Sequence, residues 1–424
     1  MAVISGSSAL LRDQRFVLLA AARTISVLGN GFARVALAFA VLALPGAGPG
    51  RLSLVMACQS LPLVFLLAGG VIADRMSRSR LMVIADGVGA LAYSGLAAMT
   101  LSGHAPLGAM CALAAIAGLA SALFAPAVEG VVPLVVPPDR LQQANGLLRM
   151  STNTCLFLGL ALSGLVVAWL GAGWALALNA ASYVVSAALT GRLKLPTRTV
   201  PASSSWADLR AGWHEFASRQ WLWVVVAQCT AVVAVFNAMV GVLGPLAAER
   251  HLGGARAWSV IVAAQALGAV AGAALAVRVR PRRPLLIAVL AMFPIALPMA
   301  LLSVAAPVWL IAAAMFCTGV ASDVFNVLWS STLQREIPEQ VLSRVSSYDL
   351  FGSLAFAPLG LLAAGPVAHA VGFRASLAGC AAVVVFATVV ALSSPQVRRL
   401  RFTGTERQIA PKVTGNRTDE EVTG

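Results

Sequence analysis

Long apolar runs and short polar breaks alternate along the chain from residue 16 to residue 393. Residues 285–309 carry no charged side chain, and residues 82–101 carry only Asp86. A helix needs about 20 apolar residues to cross a bilayer, and these runs reach that length. Membrane-spanning strands would instead alternate over segments of about 10 residues. The pattern therefore predicts twelve helical spans, over 16–42, 52–73, 81–102, 107–127, 143–169, 173–192, 221–245, 257–277, 284–304, 308–329, 343–367 and 372–393. The breaks hold Gly, Pro or charge, as in "LPGAGPGR" at 44–51 and "VRPRRP" at 279–284.

The spans fall into two similar sets of six. Shifted by 201 residues, "GLASALFAP" from Gly118 lies on "GVASDVFNV" from Gly319. In the same register Pro137 meets Pro338, and Gly159, Gly164 and Gly171 meet Gly360, Gly365 and Gly372. Shifted by 206, "SLVMACQSL" from Ser53 lies on "SVIVAAQAL" from Ser259. Two six-helix halves in one orientation are a transporter plan, with the substrate site at mid-membrane between them.

Composition agrees with a lipid-embedded chain. Of 424 residues, 59% are hydrophobic and 11% charged, with a mean hydropathy of +0.86. Soluble domains carry about 25% charged residues, and a core this large could not be covered by so few. The net charge of +14 could serve nucleic acid, but the cations are scattered between apolar runs. Loops on one side of the expected bundle hold 23 Lys and Arg against 4 on the other. That bias places both termini in the cytoplasm, with the bundle in the plasma (inner) membrane as a multi-pass protein. The six cysteines lie inside apolar runs, and the four histidines lie at loop or helix edges. Neither set has metal-ligand spacing, so no metal, cofactor or enzymatic nucleophile cluster is expected.

The outer boundaries follow. Residues 1–15 form a cytoplasmic N-terminus, 16–193 the first half and 221–393 the second. The 194–220 linker opens with Pro and Ser. It continues with Trp206, Leu209, Trp213 and Phe216 at helical spacing after a Ser205-x-x-Asp208 capping pattern. This predicts an amphipathic helix on the cytoplasmic membrane surface, bracing the halves. Residues 394–424 are polar and expected to be disordered.

"GGVIADRMSRSRLMVIAD" (69–86) lies in the loop between the second and third spans. Its Gly70-x-x-x-Asp74-Arg75-x-x-Arg78-x-Arg80 resembles the cytoplasmic loop signature of the major facilitator superfamily. "FAPAVEGVVPLVVPPDRLQQANGL" (124–147) and "TLQREIPEQVLSRV" (332–345) are similar to the branch of enterobactin-type siderophore exporters and macrolide efflux proteins. The resemblance covers residues 10–393. It implies an all-α integral membrane protein with twelve transmembrane helices in two six-helix pseudo-repeats, the major facilitator fold.

It also implies a latch. Gly70 admits a close neighbour, and Asp74 faces the N-terminal end of the eleventh helix, near Ser343. A carboxylate there gains about 0.3–1 kcal/mol from the helix dipole. Arg78 reaches Glu129 at the end of the fourth helix. The matching loop of the second half, "AVRVRPRRPL", keeps the charge and lacks the acid. Leu160 stands where antiporters of this superfamily often carry Pro.

Polar residues within spans are costly and mark pathways or interhelical contacts. Arg23, Asn30 and Arg34 share one face of the first helix, and Asn145, Arg149 and Asn153 one face of the fifth. Asp323, Asn326 and Ser330 share a face of the tenth, and Gln228 and Asn237 lie on the seventh. In the superfamily fold, helices 1, 4, 7 and 10 face the central cavity, which makes these the candidate substrate pathway. With no Walker A motif, ion coupling is the expected energy source. Asp323 is the first candidate for the proton and Glu129 the second, while Asp86 and Asp349 read as structural.

The expected function is a proton-coupled exporter of a small amphipathic molecule, such as a drug, siderophore or related metabolite. The surplus of Arg over acid in the spans favours an anionic or amphipathic substrate. An importer or lipid flippase on the same fold, and a non-transporting receptor, are the competing readings. The expected partners are the substrate, protons and the bilayer, with no nucleic acid and no second subunit.

Overall fold

A computed structural model describes residues 10, 12–62, 77–137, 140–193, 216–278, 281–337, 345, 349, 352 and 356–400. Among them secondary structure is entirely helical. The helices are α1 (Gln14–Leu42), α2 (Pro49–Ser60), α3 (Arg78–Ser102), α4 (Leu107–Val135), α5 (Leu141–Leu170) and α6 (Ala172–Gly191). They continue with α7 (Gln220–Leu252), α8 (Ala255–Arg278), α9 (Pro284–Ser303), α10 (Val308–Glu336), α11 (Ala357–Val371), α12 (Phe373–Ser393) and the short α13 (Pro395–Arg399). Ten of these are long and apolar enough to span a membrane. The described parts of α2 and α11 are shorter, and the rest of their expected spans lies outside the described residues.

Local chemistry explains the boundaries. Asp13 caps α1 by accepting from the Arg15 backbone N–H at 2.8 Å. Pro lies in the first turn of α2, α9, α11 and α13, where its missing N–H costs nothing. Gly171 and Gly372, both at positive φ, make the sharp turns from α5 into α6 and from α11 into α12.

Several helices depart from the predicted spans. α4 and α10 run about two turns further, to Val135 and Glu336, because backbone hydrogen bonding need not stop where hydrophobicity does. α7 runs to Leu252 through two π-helical turns, Met239–Leu243 and Ala248–Leu252. α9 breaks near Pro294, where a helical N–H is lost and a 3₁₀ turn intervenes. The chain also stays ordered past Ser394. Val397 of α13 is fully buried and Gln396 Oε1 accepts from the Trp221 N–H at 3.0 Å, which corrects the expected start of the disordered tail. Residues 401–424, and the linker helix apart from its Phe216 end, lie outside the described residues.

The packing has two matching sets. α1 packs on α5 and α6, α3 on α4 and α6, and α2 on α4. Adding six to each number gives α7 on α11 and α12, α9 on α10 and α12, and α8 on α10. The main contacts between the sets are α5 with α8 and α2 with α11, which the same operation exchanges. Individual glycines follow the pattern. A Cβ on Gly118 would strike the Gln59 carbonyl, and one on Gly319 the Gln265 carbonyl. Gly159 meets the Leu28 carbonyl as Gly360 meets that of Ala234, and Gly164 meets Ser259 Oγ as Gly365 meets Ser53 Oγ. In each case the two glycines stand 201 residues apart and the two residues they meet 206 apart.

Those last contacts lie at the end of the bundle away from residues 14 and 393, here termed the far end. A single apolar core crosses both sets there. At the opposite, terminal end it divides, and Phe16, Leu19, Leu81, Met82, Val131 and Leu148 form a cluster of their own. Among the described residues no shared cluster joins the sets at the terminal end.

Candidate substrate pathway

The polar stripe of α1 is tied into its own half. Asn30 Oδ1 accepts from the Tyr183 hydroxyl at 3.0 Å, and Tyr183 stacks on Tyr93 at 5.7 Å between centroids. The Tyr93 hydroxyl accepts from Gln59 Nε2 at 2.9 Å, and Arg34 lies beside Tyr93. Thr24 shares a 2.6 Å hydrogen bond with Ser151 of α5. Asn30 therefore joins α1 to α6 as an interhelical contact. Arg34 remains exposed and Arg23 half-buried. Behind this network Asp86 is fully buried, with Oδ2 accepting from Ser186 Oγ at 2.7 Å.

The α5 stripe has another character. Asn145, Arg149 and Asn153 are exposed, as is Met150 beside them at 65%. Arg149 lies within electrostatic reach of Asp323 on α10, and Asp323 hydrogen-bonds Asn326 one turn on. Asn326 and Ser330 are exposed on the same face. A cation of the first set thus lies near enough to an acid of the second for their charges to interact.

The α7 candidates bond within their own half. Asn237 Nδ2 donates to the Val233 carbonyl of its own helix at 2.8 Å. Gln228 is 3% exposed and donates to Thr388 Oγ1 of α12 at 3.0 Å.

A cavity of about 290 Å³ lies between α7, α9 and α10, with Asp349 on its wall. Phe236, Phe325 and Trp329 supply aromatic surface, and Ser322 and Asn326 supply polar edges. Trp329 Nε1 donates to Asp349 Oδ2 at 2.9 Å. Phe325 stacks on Trp329 with centroids 6.1 Å apart, and Trp221 meets Trp329 edge-on at 5.8 Å. Sequence reasoning followed polar stripes and passed over this group. The available signal was Phe325-x-x-x-Trp329, an aromatic pair one turn apart on the helix that carries Asp323.

The expected latch falls largely outside the described residues. Gly70, Asp74 and Arg75 are among the residues not described, and Glu129 lies in α4 with its side chain outside the description. Arg78 and Arg80 stand in the first turn of α3, the first half-buried and the second exposed.

Residues 19–357 match the family model of the Major Facilitator Superfamily. The multidrug efflux pump Tap of Mycobacterium tuberculosis (strain ATCC 25618 / H37Rv) is 26% identical over 396 residues, covering 89% of this chain and 93% of that protein. The enterobactin exporter EntS of Salmonella typhimurium (strain LT2) is 26% identical over 353 residues, covering 80% and 82%. The crystal structure of nucleoside transporter NupG superposes with a TM-score of 0.71 at 15% identity, over 89% of this chain and 98% of that one. A POT family transporter in complex with 5-aminolevulinic acid superposes at 0.71 and 12% identity, over 90% and 96%. With apolar helices long enough to span a membrane and a family match over most of its length, the chain belongs to the major facilitator superfamily and is a membrane transporter rather than an enzyme.

Proposed function

We propose that this transporter is a proton-coupled exporter of a small amphipathic molecule, working by alternating access. Its two six-helix repeats form a twelve-helix bundle in the plasma (inner) membrane, as a monomer with both termini in the cytoplasm. The matching helix pairs and glycine contacts support the repeat. The export direction draws on the efflux pump and the enterobactin exporter among its relatives.

One observation carries the mechanism: Arg149 of the first repeat lies opposite Asp323 of the second. With the far end packed shut, substrate enters from the terminal end and meets this pair. Substrate binding there displaces the proton of Asp323 to the terminal side, and the loaded carrier rocks to open at the far end. As the substrate leaves, Asp323 takes a proton on that side, which cancels its attraction to Arg149, and the protonated, empty carrier returns. The latch of Gly70, Asp74, Arg75, Arg78, Arg80 and Glu129 holds the cytoplasmic end closed in the opposite state.

The test uses proteoliposomes with an imposed pH gradient, loaded with ethidium or enterobactin. Wild type should drive one of them against its concentration gradient. Asp323→Asn should lose gradient-driven transport and keep substrate counterflow. Full gradient-driven transport by that variant would remove Asp323 from the coupling step.

A further inference from the structure

Cations at the far end run against the chain's own bias, since only 4 loop Lys and Arg lie there against 23 at the terminal end. The four are Arg51, Arg250, Arg256 and Arg374. Arg51 Nη1 donates to the Pro45 carbonyl at 2.8 Å, and the Arg256 guanidinium lies 5.9 Å from the Trp169 ring centroid. The other two, far apart in sequence, converge on one side chain. Arg250, at the end of α7, and Arg374, in the first turn of α12, each place a guanidinium 5.9 Å from the Phe373 ring centroid. His251 stacks on the same ring, with centroids 5.2 Å apart.

This grouping carries an electrostatic cost. The two guanidinium carbons are separated by at most twice 5.9 Å. That is comparable with the Debye length of about 8–10 Å at ordinary ionic strength, so the two charges repel. Glu249, the acid beside Arg250 in sequence, lies against Gly254 on the wall of a separate cavity that Arg256 also lines. Arg250, His251 and Arg374 are all exposed, which leaves their N–H groups open to a ligand. A guanidinium fork matches the oxygens of a phosphate, and an anion between the two arginines turns their repulsion into attraction.

Depth points to the source of that phosphate. Trp169, Trp174 and Trp309 are exposed at the same end, and exposed Trp gathers at the headgroup level of a bilayer. Trp174 and Trp309 stand in the first turns of α6 and α10, as Phe373 and Arg374 stand in that of α12. Val367 and Val371, one turn apart on α11 and both exposed, lead up to Phe373 as apolar surface for an acyl chain.

We infer that Arg250, His251 and Arg374 form a binding site for the phosphate of an anionic phospholipid in the far-end leaflet. Phe373 gathers the cations around its ring. Arg250 and His251 belong to the π-helical turn Ala248–Leu252, so the bound headgroup also ties the last turn of α7 to α12. The site is independent of the direction of transport and of the coupling ion.

The full chain, with p-benzoylphenylalanine in place of Val371, is reconstituted in vesicles of equal parts phosphatidylglycerol and phosphatidylcholine. After irradiation, mass spectrometry identifies the lipid attached to the probe. Phosphatidylglycerol should be enriched at least about fivefold over the bulk mixture, which is what one arginine near a membrane surface supplies. The same probe in place of Leu101, exposed at the far end of the first set, should report close to the bulk ratio. Arg250→Gln with Arg374→Gln should bring the Val371 ratio down to the Leu101 value. The bulk ratio at Val371 in wild type overturns the inference. So does equal enrichment at Leu101, which would mark general attraction to a chain of net charge +14. Enrichment left intact in the double variant overturns the role of the arginines. Inorganic phosphate, compared with sodium chloride at matched ionic strength, tests the other source of the same chemistry. Retained enrichment supports the lipid, and enrichment lost to phosphate alone would make this a site for a free anion.

Discussion

Replacing Gly164 with Ala should pry open the far end. A Cβ there would overlap Ser259 Oγ, lie 2.5 Å from Ser259 Cβ and lie 2.7 Å from the Ala255 carbonyl oxygen. The hydroxyl can rotate away, but the Cβ and the backbone carbonyl move only if α8 moves. Carbon contacts settle near 3.5–4.0 Å, so α8 must withdraw by about 1 Å. Overpacking of this kind costs about 1–3 kcal/mol. The cost falls only on the conformation in which α5 and α8 touch, so the equilibrium shifts toward far-end opening by about 5–150-fold. Spin labels at Ser102 and Val304, exposed at the far ends of α3 and α9, report that opening as a longer interspin distance. Gly108→Ala is the control, because a Cβ there meets nothing within 4 Å. The reasoning is refuted if Gly164→Ala gives the distance distribution of Gly108→Ala.

Two further outcomes follow from the charged residues. Asp74→Asn should lose transport with normal membrane insertion, and cysteine labelling at the cytoplasmic mouth should rise; wild-type transport would remove the latch from the mechanism. Arg149→Gln should slow gradient-driven transport without lowering the thermal unfolding temperature much, because the residue is exposed. A collapse in stability with unchanged transport would make the pair a structural contact instead.

The matching of the two packing sets was legible because it is written in glycine. Ala and Leu match by chance in a chain this apolar, but Gly159 and Gly360 each face a carbonyl of the neighbouring helix that no Cβ can approach. A packing constraint that admits one residue type leaves a mark at one position, and the mark recurs when the packing recurs. The facing of α5 and α10 was legible only in half. Helical spacing shows that Arg149 shares a face with Asn145 and Asn153, but not which helix that face meets. The aromatic cavity was illegible for the same reason. Asp349 and Trp329 are 20 residues apart in the chain, and neither stands out in its own stretch of sequence. The break in α9 was foreshadowed by Pro294, whereas the order of α13 depends on Gln396 reaching the start of α7.

The two far-end contacts, Gly164 against Ser259 and Gly365 against Ser53, act as a pair of pivots. Two fixed points define a line, and rotation about that line is the relative motion of two rigid bodies that leaves both points undisturbed. Parting the far end, by contrast, must break both contacts, so the two helix pairs open together or stay shut together.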